Sequence, residues 1–168
     1  GNDRFGVGSV AFSALVAFAA VELSSVRPDW RLSAGADQLR RALEDSYDPE
    51  TRTWVDRPAK GAGAVPTLEA LLPVLVAAPG QVAVVMADVL DDRCYGGRCG
   101  PAQVRRDVAT YSPLGYWRGA AWPQLGYLLW LAARRAGCHD HAGDLAARLV
   151  RGAASSGFAE YWHPDSGA

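Results

Sequence analysis

Six times along this chain, apolar residues return at the i, i+3, i+4, i+7 spacing that lines one face of an α-helix. No segment alternates apolar and polar side chains over the length of a strand, so the pattern predicts an all-α fold. The expected helices cover 7–23, 33–45, 67–74, 81–90, 120–136 and 140–155. Pro28 breaks the chain after the first, Ser33 and Thr67 are placed to cap the second and third, and Gly137 supplies a stop for the fifth. Leu32, Ala36, Leu39 and Leu43 form one buried stripe; Val82, Val85, Met86 and Val89 form another; Trp122, Leu125, Leu129 and Ala132 a third. Pro73 falls inside the short third helix and strains it. A chain of 168 residues can make one domain, spanning 1–168, that buries about 70% of its unfolded surface.

Helices joined by short loops pack antiparallel, so successive connections alternate between the two ends of the array. The connections 24–32, 77–80 and 137–139 are brief and share one end. The connections 46–66, 91–119 and 156 onward are long, rich in Gly, Pro, Trp and Tyr, and crowd the other. Loops of that length in a compact domain usually bind or catalyse, which makes this end the expected functional face.

Charge excludes some partners. The 17 Lys and Arg residues balance 18 Asp and Glu and are scattered, which leaves no footprint for nucleic acid. The uncharged stretch 5–21 is short for a membrane span and contains Gly6, Gly8, Ser9 and Ser13, so a buried helix is expected there. The start Gly1-Asn2-Asp3-Arg4 lacks the basic region of a secretory signal; a cytoplasmic location is expected, with secretion left open. Three cysteines do not make a disulfide framework. Cys94, Cys99, Cys138, His139 and His141 have spacings unlike a common zinc site, and parity puts Cys138 at the opposite end from Cys94 and Cys99. Neither a metal nor another cofactor is expected.

Two stretches of the functional face carry the chemistry. Tyr116-Trp117-Arg118-Gly119 is followed by Trp122, Gln124 and Tyr127; aromatic rings stack on the C–H faces of sugars while Arg and amide groups bond their hydroxyls. Near the end of the chain, Phe158-Ala159-Glu160-Tyr161-Trp162 sets a carboxylate among aromatics. An inverting glycosidase needs one carboxylate to activate water and a second carboxyl group, about 6.5–9.5 Å away, to protonate the leaving oxygen. Glu160 is the candidate for the first.

The order Tyr116-Trp117-Arg118-Gly119-x-x-Trp122-Pro123, then a helix pair, then Phe158-x-Glu160-Tyr161-x-x-Pro164-x-x-Gly167 resembles the C-terminal half of family-63 glycoside hydrolases, which include glucosylglycerate and mannosylglycerate hydrolases and processing α-glucosidases. Tyr47-Asp48-Pro49-Glu50-Thr51 before Trp54 is similar to that family's aromatic-Asp turn. Gly100 to Asp107, followed by Tyr111-Ser112-Pro113, is similar to the loop leading into its Tyr-Trp-Arg-Gly motif. The likeness covers nearly the whole chain.

The resemblance implies about half of an (α/α)6 toroid built of antiparallel hairpins, and a substrate that is a small glycoside or an oligosaccharide. It implies Glu160 as general base and Tyr116, Trp117, Trp122 and Tyr161 as the sugar-pocket wall. Gly119 would permit close substrate approach. Arg118 would orient the loop, supported by Arg106 and Asp107, with Gln124 nearby. The family often has Pro in place of Ala120 and Asn in place of Gly126. Its general acid, an Asp, belongs to the first half of the ring, and neither Asp3 nor Asp107 is a convincing substitute. The isolated chain is therefore expected to be nearly inactive and to pair with the missing half or with itself. A non-catalytic sugar-binding or assembly module, and a helical protein-interaction scaffold, are the alternatives.

Overall fold

The computed structural model describes residues 8–56 and 65–168; Val7, the expected start of the first helix, and Asp3 lie outside them. Helix α1 spans Val10–Val26 and α2 spans Trp30–Glu44. The Ser9 hydroxyl accepts from the Phe12 amide, and the Asp29 carboxylate accepts from the Arg31 amide at 2.8 Å, so Asp29 rather than Ser33 caps α2. A two-residue hairpin follows, β1 (Tyr47–Asp48) against β2 (Thr53–Trp54), where the residue pattern predicts only a loop. The Asp48 carboxylate closes it by accepting from the Glu50 amide and the Thr51 hydroxyl.

The third expected helix is a 3-10 helix, Glu69–Leu75. Pro73 provides no amide for an α-helical bond, and Thr67 stands ahead of the helix as expected of a cap, its hydroxyl accepting from the Ala70 amide at 3.4 Å while its backbone forms an antiparallel bridge with Val104. Helices α3 (Pro79–Leu90), α4 (Pro123–Arg135) and α5 (His139–Ser156) complete the array. Both α3 and α4 begin on a proline, whose ring presets the first helical φ.

The packing is helix on helix. Helix α1 packs on α2 and on the 3-10 helix, which lies against α4; α4 pairs with α5, and α3 lies against both. Leu68, Leu71, Leu72, Val85, Met86, Leu129 and Leu145 meet in one buried core. Each such side chain contributes about 1.5–3 kcal/mol when fully buried. Helices α4 and α5 approach closely at Gly126, where a Cβ would stand 2.6 Å from a Leu149 methyl. A side chain like the family's Asn has no room there. Among the described residues no helix is long and apolar enough to cross a membrane.

Candidate functional site

The described parts of the long connections meet, and backbone hydrogen bonds, among them the Arg105 amide to the Pro66 carbonyl, join them into an irregular ribbon. The Leu68 amide donates to the Gln103 carbonyl, the Gln103 amide to the Ala120 carbonyl, and Ala121 and Trp162 exchange bonds of 2.8 and 3.2 Å. For this reason α4 starts at Pro123: the Ala120 carbonyl and both backbone groups of Ala121 are used by neighbouring loops, and Trp122 stands extended as the residue that precedes the helix. The Ala121–Trp162 bridge ties the turn containing Glu160 to the loop containing Tyr116.

Four predicted pocket residues come together on this ribbon. Trp117 stacks on Trp122 with centroids 4.4 Å apart and planes 7° from parallel. Tyr116 meets Trp122 edge-on at 4.8 Å and Tyr161 at 5.1 Å, and Tyr161 lies 5.0 Å from Trp122. Trp122 is the buried base of the cluster, and its indole Nε1 donates to the Tyr116 carbonyl at 3.1 Å. Tyr116 and Trp117 are 45% and 52% exposed, so their faces remain open to a ligand. Glu160 is exposed and is next in the chain to Tyr161. It follows Phe158, a non-glycine residue held at φ 62 directly after Gly157 at φ 67. A bulky residue in that region costs about 1–2 kcal/mol, so the tertiary structure enforces the turn into Glu160.

Three expected supports are corrected by the geometry. Arg118 is exposed and makes no ion pair among the described residues; only its backbone shapes the loop, through its amide to the Gly115 carbonyl and its carbonyl from the Ser112 amide. Arg106 and Asp107 do not support it: Arg106 grips Asp165 with two bonds of 3.0 and 2.6 Å, and Asp107 pairs with Arg105 at 2.8 Å. The Arg106 contact holds the Asp165 carboxyl below its ordinary range, and Arg105 does the same for Asp107. Gly119 is buried and a Cβ there would overlap the Ser112 carbonyl, so the loop's own closure requires glycine at this position. Gln124 is exposed in the first turn of α4, apart from the aromatic cluster.

Other residues of this region escape a reading of the sequence. The Trp162 indole is 3% exposed and donates to the Cys99 carbonyl at 2.6 Å, while the Cys99 amide donates to the Pro164 carbonyl. Gln103 is 1% exposed and donates its side-chain amide to the Glu69 carboxylate, and its other polar atom has no partner. Burial raises the Glu69 carboxyl above its ordinary value. Asp88 is likewise raised by burial although Arg52 pairs with it at 3.0 Å. Their sequence neighbourhoods carry no signal for these pairings, which join loops to helices distant in the chain. Among the described residues, no three His, Cys, Asp or Glu side chains form a group able to hold a metal ion.

Helical hairpins whose long loops converge on an aromatic cluster make an all-α module, and its match to a solved glycoside hydrolase gives it the fold of part of a helical toroid. The chain belongs to the mannosylglycerate hydrolase MGH1-like glycoside hydrolase domain family, whose model matches residues 9–168. Among solved structures it is similar to the GH63 mannosylglycerate hydrolase from Thermus thermophilus in complex with glucose. That match has a TM-score of 0.84 and 22% identity over 96% of this chain and 40% of that one. The same enzyme in complex with Tris and D-glycerate matches at 0.84 and 21% identity, over 96% and 41%. A structure described as a sialidase matches at 0.78 and 15% identity, over 100% of this chain and 18% of the other. The chain thus spans about two fifths of the length of the mannosylglycerate hydrolase. No curated protein matches it by sequence.

Proposed function

We propose that this chain is part of a glycoside hydrolase that cleaves an α-linked glucoside or mannoside with inversion, with Glu160 as general base. The observation that carries this reading is the aromatic cluster of Tyr116, Trp117, Trp122 and Tyr161, joined to the Glu160 turn through the Ala121–Trp162 bridge. An exposed carboxylate beside open aromatic faces can deprotonate a water next to a sugar ring stacked on Trp117 or Tyr116. Trp117 and Tyr116 orient the sugar, and Tyr161 and Trp122 back them. A carboxylic acid outside these residues protonates the departing oxygen. Family membership and the glucose and D-glycerate complexes of the similar hydrolase support a small glycoside such as glucosylglycerate or mannosylglycerate.

The test is hydrolysis of both glycerate glycosides by the full-length gene product, followed by NMR. Release of the β-anomer first from an α-glycoside is expected; first release of the α-anomer refutes inversion. A hydrophobic stripe favours an additional partner: on α1 and the start of α2, Phe12, Val26 and Trp30 are 69%, 85% and 75% exposed. A run of that kind is normally covered, here by the remaining part of the helical ring or a second copy of this chain. Sedimentation of the 168-residue chain as a monomer without aggregation would refute the second copy.

A further inference from the structure

Among the described residues the Glu160 side chain makes no hydrogen bond that would hold its turn, yet five residues further on the turn is tied down by charge. Arg106 and Asp165 form a two-bond ion pair between the loop that leads into Tyr116 and the turn that follows Glu160. The side chains are only 20% and 38% exposed. Among the described residues this is the ion pair that joins these two loops.

Both ends of the pair are anchored. The Arg106 amide donates to the Cys94 carbonyl, its guanidinium also donates to the Gly96 carbonyl, and it lies over the Tyr111 ring at 5.6 Å. Tyr111 in turn lies against the backbone of Gly119 in the aromatic loop. On the other side, the Asp165 carbonyl accepts from the Cys99 thiol and its amide donates to the His163 ring. Asp165 is therefore part of the same hydrogen-bonded turn as Trp162, whose backbone pairs with Ala121.

We propose that the Arg106–Asp165 pair is a positioning device for hydrolysis: it sets the distance between the Glu160 carboxylate and the aromatic wall on which the sugar stacks. This rests on the assignment of Glu160 as general base. A general base has to meet its water within hydrogen-bond reach of the sugar, and a misplacement of about 1 Å costs on the order of 10²-fold in rate. The bidentate geometry matters because a fork of two parallel bonds fixes orientation as well as distance. Lysine at position 106 would keep the charge and lose that orientation.

The experiment compares Asp165→Asn, Arg106→Lys and the reversed pair Arg106→Asp with Asp165→Arg in the full-length gene product. For the two single variants kcat on glucosylglycerate or mannosylglycerate should fall about 10²-fold, with KM within about threefold of wild type. The reversed pair should recover about tenfold of that loss. A kcat for Asp165→Asn within about twofold of wild type, or a rise in KM at unchanged kcat, overturns the proposal. Amide hydrogen exchange in the full-length gene product is read alongside: the Trp162 amide should exchange about tenfold faster in Asp165→Asn, while the α4 amides around Leu129 stay protected. Unchanged Trp162 exchange also overturns the clamp. A wild type with no glycosidase activity overturns the hydrolase assignment and the catalytic role with it, and Trp162 exchange then decides separately whether the clamp holds the turn.

Discussion

Two glycines in one helix should respond to the same substitution with opposite signs. Gly143 and Gly152 both lie in α5. Gly143 is exposed, and a Cβ built there finds no atom within 4 Å. Only helix propensity acts on it, so Gly143→Ala should stabilise by about 0.5–1 kcal/mol. Gly152 is buried, and its Cβ would overlap both the Trp162 indole and the Cys99 carbonyl oxygen, the two partners of the 2.6 Å hydrogen bond. The same propensity gain is then opposed by overpacking of about 1–3 kcal/mol and by loss of a buried hydrogen bond, about 1–3 kcal/mol more. The net expectation for Gly152→Ala is a loss of about 1–5 kcal/mol. For a chain of this size each kcal/mol moves Tm by about 2–4 °C, so calorimetry or a thermal melt followed by circular dichroism separates the two variants. Because Trp162 also pairs with Ala121, Gly152→Ala should disturb the Glu160 turn, seen as faster exchange of the Trp162 amide. A Gly152→Ala chain that melts at or above wild type would refute the close approach of α5 to this loop.

Three further outcomes follow from the site. Glu160→Gln should lower the rate of glycoside hydrolysis by about 10²–10⁴-fold while leaving ligand affinity within a few fold, measured by single-turnover kinetics and calorimetry. Trp117→Ala should weaken binding of the glycoside about tenfold with little change in Tm, because the ring is half exposed; unchanged affinity would remove it from the sugar wall. Glu69→Gln should stabilise the chain at pH 7. Burial raises the Glu69 carboxyl in the folded state, so the ionised form opposes folding above that raised value and ceases to do so as pH falls below the unfolded value of 4.5. Urea unfolding at pH 7 and pH 4 should show the advantage of the Gln variant shrinking with acidification; a constant difference would contradict the burial of that carboxyl.

Helix positions are legible in the chain because periodicity and capping act within three or four residues. The stripes Leu32–Ala36–Leu39–Leu43 and Val82–Val85–Met86–Val89 do turn inward, and Gly137 and Gly157 stand at helix ends. The alternation of short and long connections also tells which loops meet, since it depends only on antiparallel packing. The aromatic residues that cluster at this end are recognisable by type and order. What lies beyond local signals is decided by contacts between loops. Residues 120 and 121 have the composition of a helix start, yet they stay outside the helix because Gln103 and Trp162 take their backbone groups. Arg106 beside Asp107 invites a local pairing, but its partner is Asp165, 59 residues away. Gly119 owes its identity to the Ser112 carbonyl, and Thr67 its extended backbone to the bridge with Val104. Such pairings cost loop closure that only the assembled core repays, so they exist when the helices have packed and leave no trace in the spacing of residues.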